Sequence, residues 1–459
     1  MKKSLLLYFL LLSFPFFCQI KLSDVPLELK KKMDFHQMIT TVNPTTNEIY
    51  TFAADKEKLF GAKFNSIVFF RDSLTVKRPF NFRYLVGTSF LDNNNPVAYF
   101  ATEDLSRVIA VEYDFTSRTT PIKDLGLNLK EESILTEFSE KGNFYFITKG
   151  KNENALQLIK LEGNTLQKTQ LDFKSFSFEI NSVTKPSIGN IIDEFGLTKI
   201  EKKGFNSFLD GSQRVKYYVD NNKLIITFNH ATAKTSVFEI DLDTFSIRET
   251  VINNSSLVNV KQSNSLFFEN NLVTISSNSS AVELQFIKYE DKSIVKSYII
   301  DSAKSSPFTT PFYSVSGNNS PRNIKTAKKF INTILDSDLG ISIYNFDGKY
   351  VASFGGLQYR GSTNDLFFEL GAIGNLYGDS SGNYTIQNNL VDIVLDSNFK
   401  QIEQINQPLF IDKIAQFTFE NKNMKLENYF AFKNFYILSY YDTFSKQIVL
   451  RKFIDGFDY

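Results

Sequence analysis

An all-β fold of repeated four-stranded units is predicted by three features of this 459-residue chain. The first is local. Residues 237–253, VFEIDLDTFSIRETVIN, read as two short strands joined by a polar turn. Val237, Glu239 and Asp241 alternate with Phe238, Ile240 and Leu242; beyond Asp243-Thr244, Phe245, Ile247 and Glu249 alternate with Ser246, Arg248 and Thr250. A period of two is the mark of a half-buried antiparallel ribbon. The second is recurrence. Hairpins of the same design begin near Ile67, Ile109, Leu156, Val237, Leu284, Ile341, Val391 and Ile448, at spacings of about 42, 47, 81, 47, 57, 50 and 57 residues. Four-stranded units recurring at such intervals predict a β-propeller, in which each twisted sheet covers its neighbours' faces. The third is the absence of a Ser/Gly/Pro-rich linker near mid-chain, which the alternative, a pair of β-sandwiches, calls for. Eight hairpins predict eight blades, with seven as the alternative.

The chain opens on an address. Lys2 and Lys3 precede an apolar run, 5–17, too short to span a bilayer and interrupted by Pro15. Cleavage is expected near Cys18–Gln19, leaving 19–459 as a single exported domain. Acylation of Cys18 is the alternative, although Phe17 is large for a lipoprotein site. Loss of Lys2 and Lys3 from 51 basic residues leaves 49 against 50 acidic ones, a formal charge of −1. Such a balance gives no support to a nucleic-acid partner. Cys18 is the sole cysteine, so the mature chain is held by its core alone. No later apolar run is long enough for a transmembrane segment.

Next, 20–32 reads as a lone strand in search of a sheet. Three sets of four strands follow: 35–42, 49–54, 67–71 and 74–80; 84–91, 97–102, 109–115 and 120–125; 134–139, 144–148, 156–161 and 166–173. The last unit has runs at 429–433, 435–441 and 447–454 and lacks a fourth strand. Residues 20–27 are expected to supply it and close the ring, protecting an edge that would otherwise be open.

Three stretches break the pattern. An insertion at 181–211 carries Ile188, Ile191, Ile192 and Phe195 on one helical face, with Ser187 placed to cap the start and Gly196 the end. This helix either packs on its own sheets or serves as a partner-binding tab. In 305–322, SSPFTTPFYSVSGNNSPR, three prolines argue against regular structure. Its Phe308, Phe312 and Tyr313 either tuck beneath the loop or form a contact patch. The third stretch is 355–378, where Tyr359 and Arg360 are further contact candidates.

Around that third stretch, ISIYNFDGKYVASFGG (341–356) and GDSSGNYTI (378–386) resemble the NHL type of propeller repeat: a strand, Asp-Gly-Lys, a strand ending in Phe-Gly, then Asp-x-x-Gly-Asn and an aromatic strand. Asp347-Gly348 and Ser381-Gly382 would sit at turns, where glycine takes positive φ. The resemblance covers 341–395, about one and a half units. It implies a propeller and a binding role, and transfers no catalytic residue.

Motifs for chemistry are absent. The two histidines, His36 and His230, are far apart and form no HExxH, and there is neither CxxC nor GxSxG. His230 reads as a turn residue. Asp241/Asp243 and Asp336/Asp338 have the composition of a glycosidase pair but the spacing of strand-end turns. Gly355-Gly356 falls between strands and makes no phosphate loop. No cofactor and no metal site is expected. The leading expectation is a non-enzymatic propeller that binds another protein in a Gram-negative envelope, periplasmic or outer-membrane associated, such as an accessory subunit of a type 9 secretion translocon. The alternatives are an exported enzyme acting on a glycan or small ligand through carboxylates at the propeller mouth, and a ligand sensor without turnover.

Overall fold

The computed structural model describes residues 20–30, 35–180, 184–317, 319–361, 384–403, 405 and 407–457; the leader lies outside them. After β1 (Lys21–Pro26), the strands fall into seven sheets in chain order. The first three are four-stranded meanders. They are β2 (Gln37–Val42), β3 (Ile49–Ala54), β4 (Lys58–Phe64) and β5 (Phe70–Lys77); β6 (Phe82–Phe90), β7 (Pro96–Thr102), β8 (Val108–Glu112) and β9 (Ile122–Asp124); and β10 (Ser133–Glu140), β11 (Asn143–Lys149), β12 (Ala155–Glu162) and β13 (Thr165–Asp172). The fourth adds a two-residue parallel strand, β14 (Thr198–Lys199), to β15 (Val215–Asp220), β16 (Lys223–Phe228), β17 (Lys234–Asp241) and β18 (Ile247–Asn253). The fifth is β19 (Gln262–Phe268), β20 (Asn271–Ser277), β21 (Ala281–Lys288) and β22 (Ile294–Asp301). The sixth takes β23 (Phe312–Ser316), β24 (Arg322–Ile324), β25 (Asp338–Phe346), β26 (Lys349–Gly361), β27 (Tyr384–Leu395) and β28 (Gln401–Ile402). The seventh is β29 (Met424–Phe432), β30 (Phe435–Asp442) and β31 (Gln447–Phe453), with β1 as its fourth strand.

The β17–β18 hairpin shows why these ribbons form. Asp241 Oδ1 accepts from the backbone N–H groups of Asp243 and Thr244, and Phe245 takes a φ of 58°. The Phe245 N–H closes the turn on the Asp241 carbonyl at 2.8 Å. That turn sets the register, pairing Glu239 with Arg248 and Val237 with Thr250. The same device recurs: Asn65, Asp114, Asp396 and Asp442 each accept two backbone N–H groups at a hairpin turn.

Antiparallel pairing of β1 with β31, Val25 opposite Ile448, supplies the strand that the last unit lacks. Other expectations are corrected. Counting hairpins gives eight units, yet the described residues make seven sheets, because the hairpins near Ile341 and Val391 belong to one sheet. In the first sheet the third strand is Lys58–Phe64, not 67–71, and the fourth runs from Phe70 to Lys77. Residues 65–69 are a turn, with Val68 in the left-handed region at φ 68°. The stretch 305–322 is not wholly irregular. Its prolines stand at 307, 311 and 321, and the proline-free Phe312–Ser316 forms β23 against β27. Gly355-Gly356 lies within one long strand, β26, rather than between strands. A Cβ on Gly355 would stand 2.0 Å from the Asn389 carbonyl oxygen, so only glycine lets β27 approach there. The Asp347-Gly348 turn is present, with φ of 49° and 77°; Ser381-Gly382 lies outside the described residues.

By their contacts the elements gather into two compact units, one holding β1–β5, the helix Phe410–Glu420 and β29–β31, the other β6–β28. In the first the core is built on Ile49, Phe64, Ile437, Ile448 and Leu450. In the second, one core joins Phe138, Phe173, Phe178, Phe228 and Phe238 to the helix Ile188–Phe195; another joins Phe286, Phe312, Phe330 and Phe354. Phe312 and Phe330 stack at 4.3 Å. Aromatic rings of this size dominate such cores, which suits a chain with 47 Phe and no disulfide. No helix among the described residues is long and apolar enough to cross a membrane.

Candidate functional site

The helix Ile188–Phe195 forms as its sequence directs. Ser187 caps it in a capping box with Asn190, and Gly196 ends it at φ 72°. Its apolar face is spent on the core: Ile188, Ile191 and Ile192 are buried and Phe195 is half-buried against the same cluster. Phe308 and Phe312 are buried as well, with Phe308 packed on Tyr298 and Phe354. Tyr313 is half-buried and donates to Asp392 at 2.7 Å. These side chains do not form an exposed contact patch in this conformation, because burial gains them more than solvent exposure would. Tyr359 remains 49% exposed, and the Arg360 side chain lies outside the described residues. Tyr359 lines a cavity of about 470 Å³ together with Gln262, Asp336 and Asp338. Asp338 also faces Arg214 at 3.8 Å.

A denser charged constellation lies in a cleft of about 610 Å³ between the fourth and fifth sheets. Its centre is Glu239, only 9% exposed. The β17–β18 register places Arg248 across from it, and the Arg248 guanidinium donates to its carboxylate. Lys223 donates at 3.3 Å and Tyr289, from the β21–β22 turn, at 2.7 Å. The Tyr289 ring stands edge-on to Phe267 at 5.1 Å, which fixes its hydroxyl. Burial pushes the Glu239 carboxyl up, but the hydrogen bonds from Tyr289, Arg248 and Lys223 outweigh it and hold the group below the usual carboxylate range. Burial raises Tyr289 to about 12. Neither group is poised to exchange a proton near neutrality, so this pair suits recognition better than acid–base work. Five cationic and four anionic side chains line the cleft, a balance that suits a mixed-charge surface rather than a polyanion.

Two further buried polar groups stand on the same two sheets. Lys216 on β15 is fully buried and donates to Asn264 Oδ1 at 2.7 Å and the Ser265 carbonyl at 2.9 Å. Burial, reinforced by Arg214, lowers its pKa well below the ordinary lysine value. Asn264 Nδ2 in turn donates to the carbonyls of Ser212 and Leu339, tying β19 to the helix Phe208–Ser212 and to β25. Gly211 permits this close packing: a Cβ there would stand 2.1 Å from the Ile341 carbonyl oxygen. Glu283, 2% exposed, accepts from the Ser255 and Ser256 hydroxyls, each at 2.6 Å, and from Gln285 at 2.9 Å.

The histidines are packed. His230 is buried against Phe178 and Phe228, and burial lowers its pKa to about 4. His36 bonds the Lys30 carbonyl. Asp241 caps a turn, as its spacing predicts. Among the described residues no group of three or more His, Cys, Asp and Glu side chains could hold a metal ion.

The strand alternation at 237–253 does not by itself single out Glu239 or Arg248. The hairpin register could have revealed their pairing; nothing local announces Tyr289 or Lys216, which meet their partners across sheets.

No protein-family profile and no curated protein sequence matches the chain. Among solved structures it is similar to the Dos1 propeller, at 9% identity and a TM-score of 0.34 over 95% of each chain. It is also similar to a prolyl endopeptidase, at 7% identity and a TM-score of 0.34, over 93% of this chain and 51% of that one. For dihydro-heme d1 dehydrogenase NirN the values are 11% and 0.27, over 58% and 48%. The chain thus spans about half the length of the last two, and likenesses this distant carry no functional argument.

Proposed function

We propose that the seven sheets are the blades of a propeller closed through β1, and that the protein is an exported, non-enzymatic platform that binds another protein in a Gram-negative envelope. The observation that carries the binding role is the Glu239 cleft. Glu239 is held below the usual carboxylate range and fixed by cross-strand and cross-sheet hydrogen bonds, in a lining of five cationic and four anionic side chains. Pre-set charge of this kind selects a partner surface and steers its approach. The similarity of 341–395 to NHL-type repeats points the same way. An accessory role in an outer-membrane transport machine such as a type 9 secretion translocon is the specific form of this reading.

Affinity purification of tagged protein from membranes in mild detergent tests it. A stoichiometric partner, lost when Arg248→Glu reverses one charge of the cleft, is the expected result. Recovery as a free monomer would sink the proposal.

A second reading, recognition or processing of a glycan, draws on the cavity that Tyr359 shares with Asp336 and Asp338. Binding to a glycan array that disappears in Tyr359→Ala would favour it.

A further inference from the structure

The β4–β5 turn is unlike the other hairpin turns among the described residues. It carries three consecutive-face apolar side chains in the open: Ile67 is 60% exposed, Phe69 58% and Phe70 40%. The turn is built to present them. Val68, at φ 68°, points the other way and is buried in the core with Phe64 and Ile437. Its N–H bonds the Asn65 carbonyl at 2.8 Å, and Asn65 Oδ1 accepts from Ile67 and Phe69. A β-branched residue in the left-handed region is costly and persists only where its surroundings impose it. The turn is therefore rigid, holding Ile67 and Phe69 outward, while the Phe70 ring rests edge-on to Phe64 at 6.0 Å and stays partly exposed.

Cations flank this tip. Arg71 follows Phe70 directly and is exposed. Lys433, in the β29–β30 turn, reaches across and donates to the Ser66 carbonyl at 2.7 Å. Lys452 lies beside that turn, its ammonium 5.0 Å from the Phe435 ring centroid. Among the described residues none of the three is ion-paired. The nearest acidic neighbour in sequence, Asp72, accepts from the Ser73 N–H.

We infer that the β4–β5 turn is a membrane-docking tip, inserting Ile67, Phe69 and Phe70 into the interface of an anionic bilayer while Arg71, Lys433 and Lys452 bind its headgroups. Apolar side chains gain by leaving water for the acyl boundary, and each basic residue near an anionic surface adds to the attraction. The charge complement favours lipid over a second copy of the chain, which would set these cations against one another. The inference does not depend on the protein-binding reading: the vesicle test can succeed or fail whatever the pull-down recovers.

The chain has no tryptophan, so Phe69→Trp gives the tip the only tryptophan, whose emission is excited selectively over the tyrosines. Its emission should shift to the blue on addition of phosphatidylcholine vesicles containing phosphatidylglycerol, and hardly move with phosphatidylcholine alone. Arg71→Glu with Lys433→Glu in that background should weaken vesicle binding roughly tenfold or more, and salt should do the same to the parent. Ile67→Ser with Phe69→Ser, checked for an unchanged melting temperature, should abolish co-sedimentation. An unshifted emission with anionic vesicles would overturn the inference. So would binding that is indifferent to the charge reversals, or a dimer that Phe69→Ser dissociates and that ignores lipid.

Discussion

Lys216 and Glu239 stand on the same sheet and are both nearly removed from solvent, yet they are kept by opposite means. Lys216 is held by neutral acceptors, Asn264 and a carbonyl, and its pKa is driven down. Glu239 is held by two cations and a phenol, and its pKa is kept low despite burial. The first arrangement is cheapest with the amine neutral, and makes Lys216 a long polar strut inside the core. The second keeps a charge alive at the edge of a cleft. Burial alone therefore does not distinguish structure from function here; the charge of the partners does.

The largest effect that could break this contrast is at Lys216. Truncation in Lys216→Ala leaves a cavity and strips Asn264 and Ser265 of their donor, an expected loss of about 3–5 kcal/mol. Lys216→Met, which keeps the volume, should lose less than half of that. Urea unfolding measures both, and a cost below about 1 kcal/mol for the alanine variant would show that Lys216 is no strut. Glu239→Gln comes next, at about 1–2 kcal/mol, because Arg248 and Lys223 are exposed enough to recover water. Its loss should shrink in high salt, whereas that of Lys216→Met should not.

A third effect concerns pH. The His230 pKa lies near 4 in the folded protein, below its unfolded value near 6.5. The unfolded chain then binds the proton more readily, so stability falls as pH drops from about 6.5 towards 4. Glu137 runs the opposite way. Burial raises it to about 7, with Lys199 opposing, so the folded state keeps the proton and stability falls as pH rises from about 4.5 to 7. The two displacements, from 6.5 to about 4 and from 4.5 to about 7, each correspond to about 3 kcal/mol at full extent. His230→Gln should flatten the acid side of the stability–pH curve and Glu137→Gln the neutral side; thermal melts across pH 4 to 8 would show whether the two slopes separate. The smallest effect is expected from Asp241→Ala, which removes one turn cap on the surface and should lower Tm by only about a degree or two. A larger drop would mean that the β17–β18 register, and with it the Glu239–Arg248 pair, depends on that cap.

Much of the architecture was legible because strand alternation and turn residues are local signals. The 237–253 hairpin and the fourth strand supplied by β1 were both readable. The strand Lys58–Phe64 was not, since Gly61 and Ala62 carry little of the apolar alternation and Val68 imitates a strand residue while sitting in a turn. The predicted units near Ile341 and Val391 fall in one sheet because β26 and β27, the longest strands among the described residues, carry it through both. At the site, Arg248 could be read from register, but Lys223, Tyr289 and Phe267 arrive from other strands and another sheet. Pairing across sheets depends on tertiary placement, which no single stretch encodes. The helix at 188–195 was legible as a helix, and packing on its own sheets, one of the two readings its apolar face offered, is what the core shows.

β1 has a temporal consequence. The Tyr441 hydroxyl donates to the Leu27 carbonyl across 414 positions of chain, and Val25 pairs with Ile448. β1 is synthesised long before β31 and must wait for it before it has a sheet to join. Closing so long a loop costs little more entropy than closing one half its length, because the cost grows only with the logarithm. What grows is the delay. Until β31 emerges, the seventh sheet has one open edge and β1 is an unpaired strand, both templates for wrong pairing. The last sheet thus works as a completion check, and a chain truncated before β31 leaves its own N-terminus sticky.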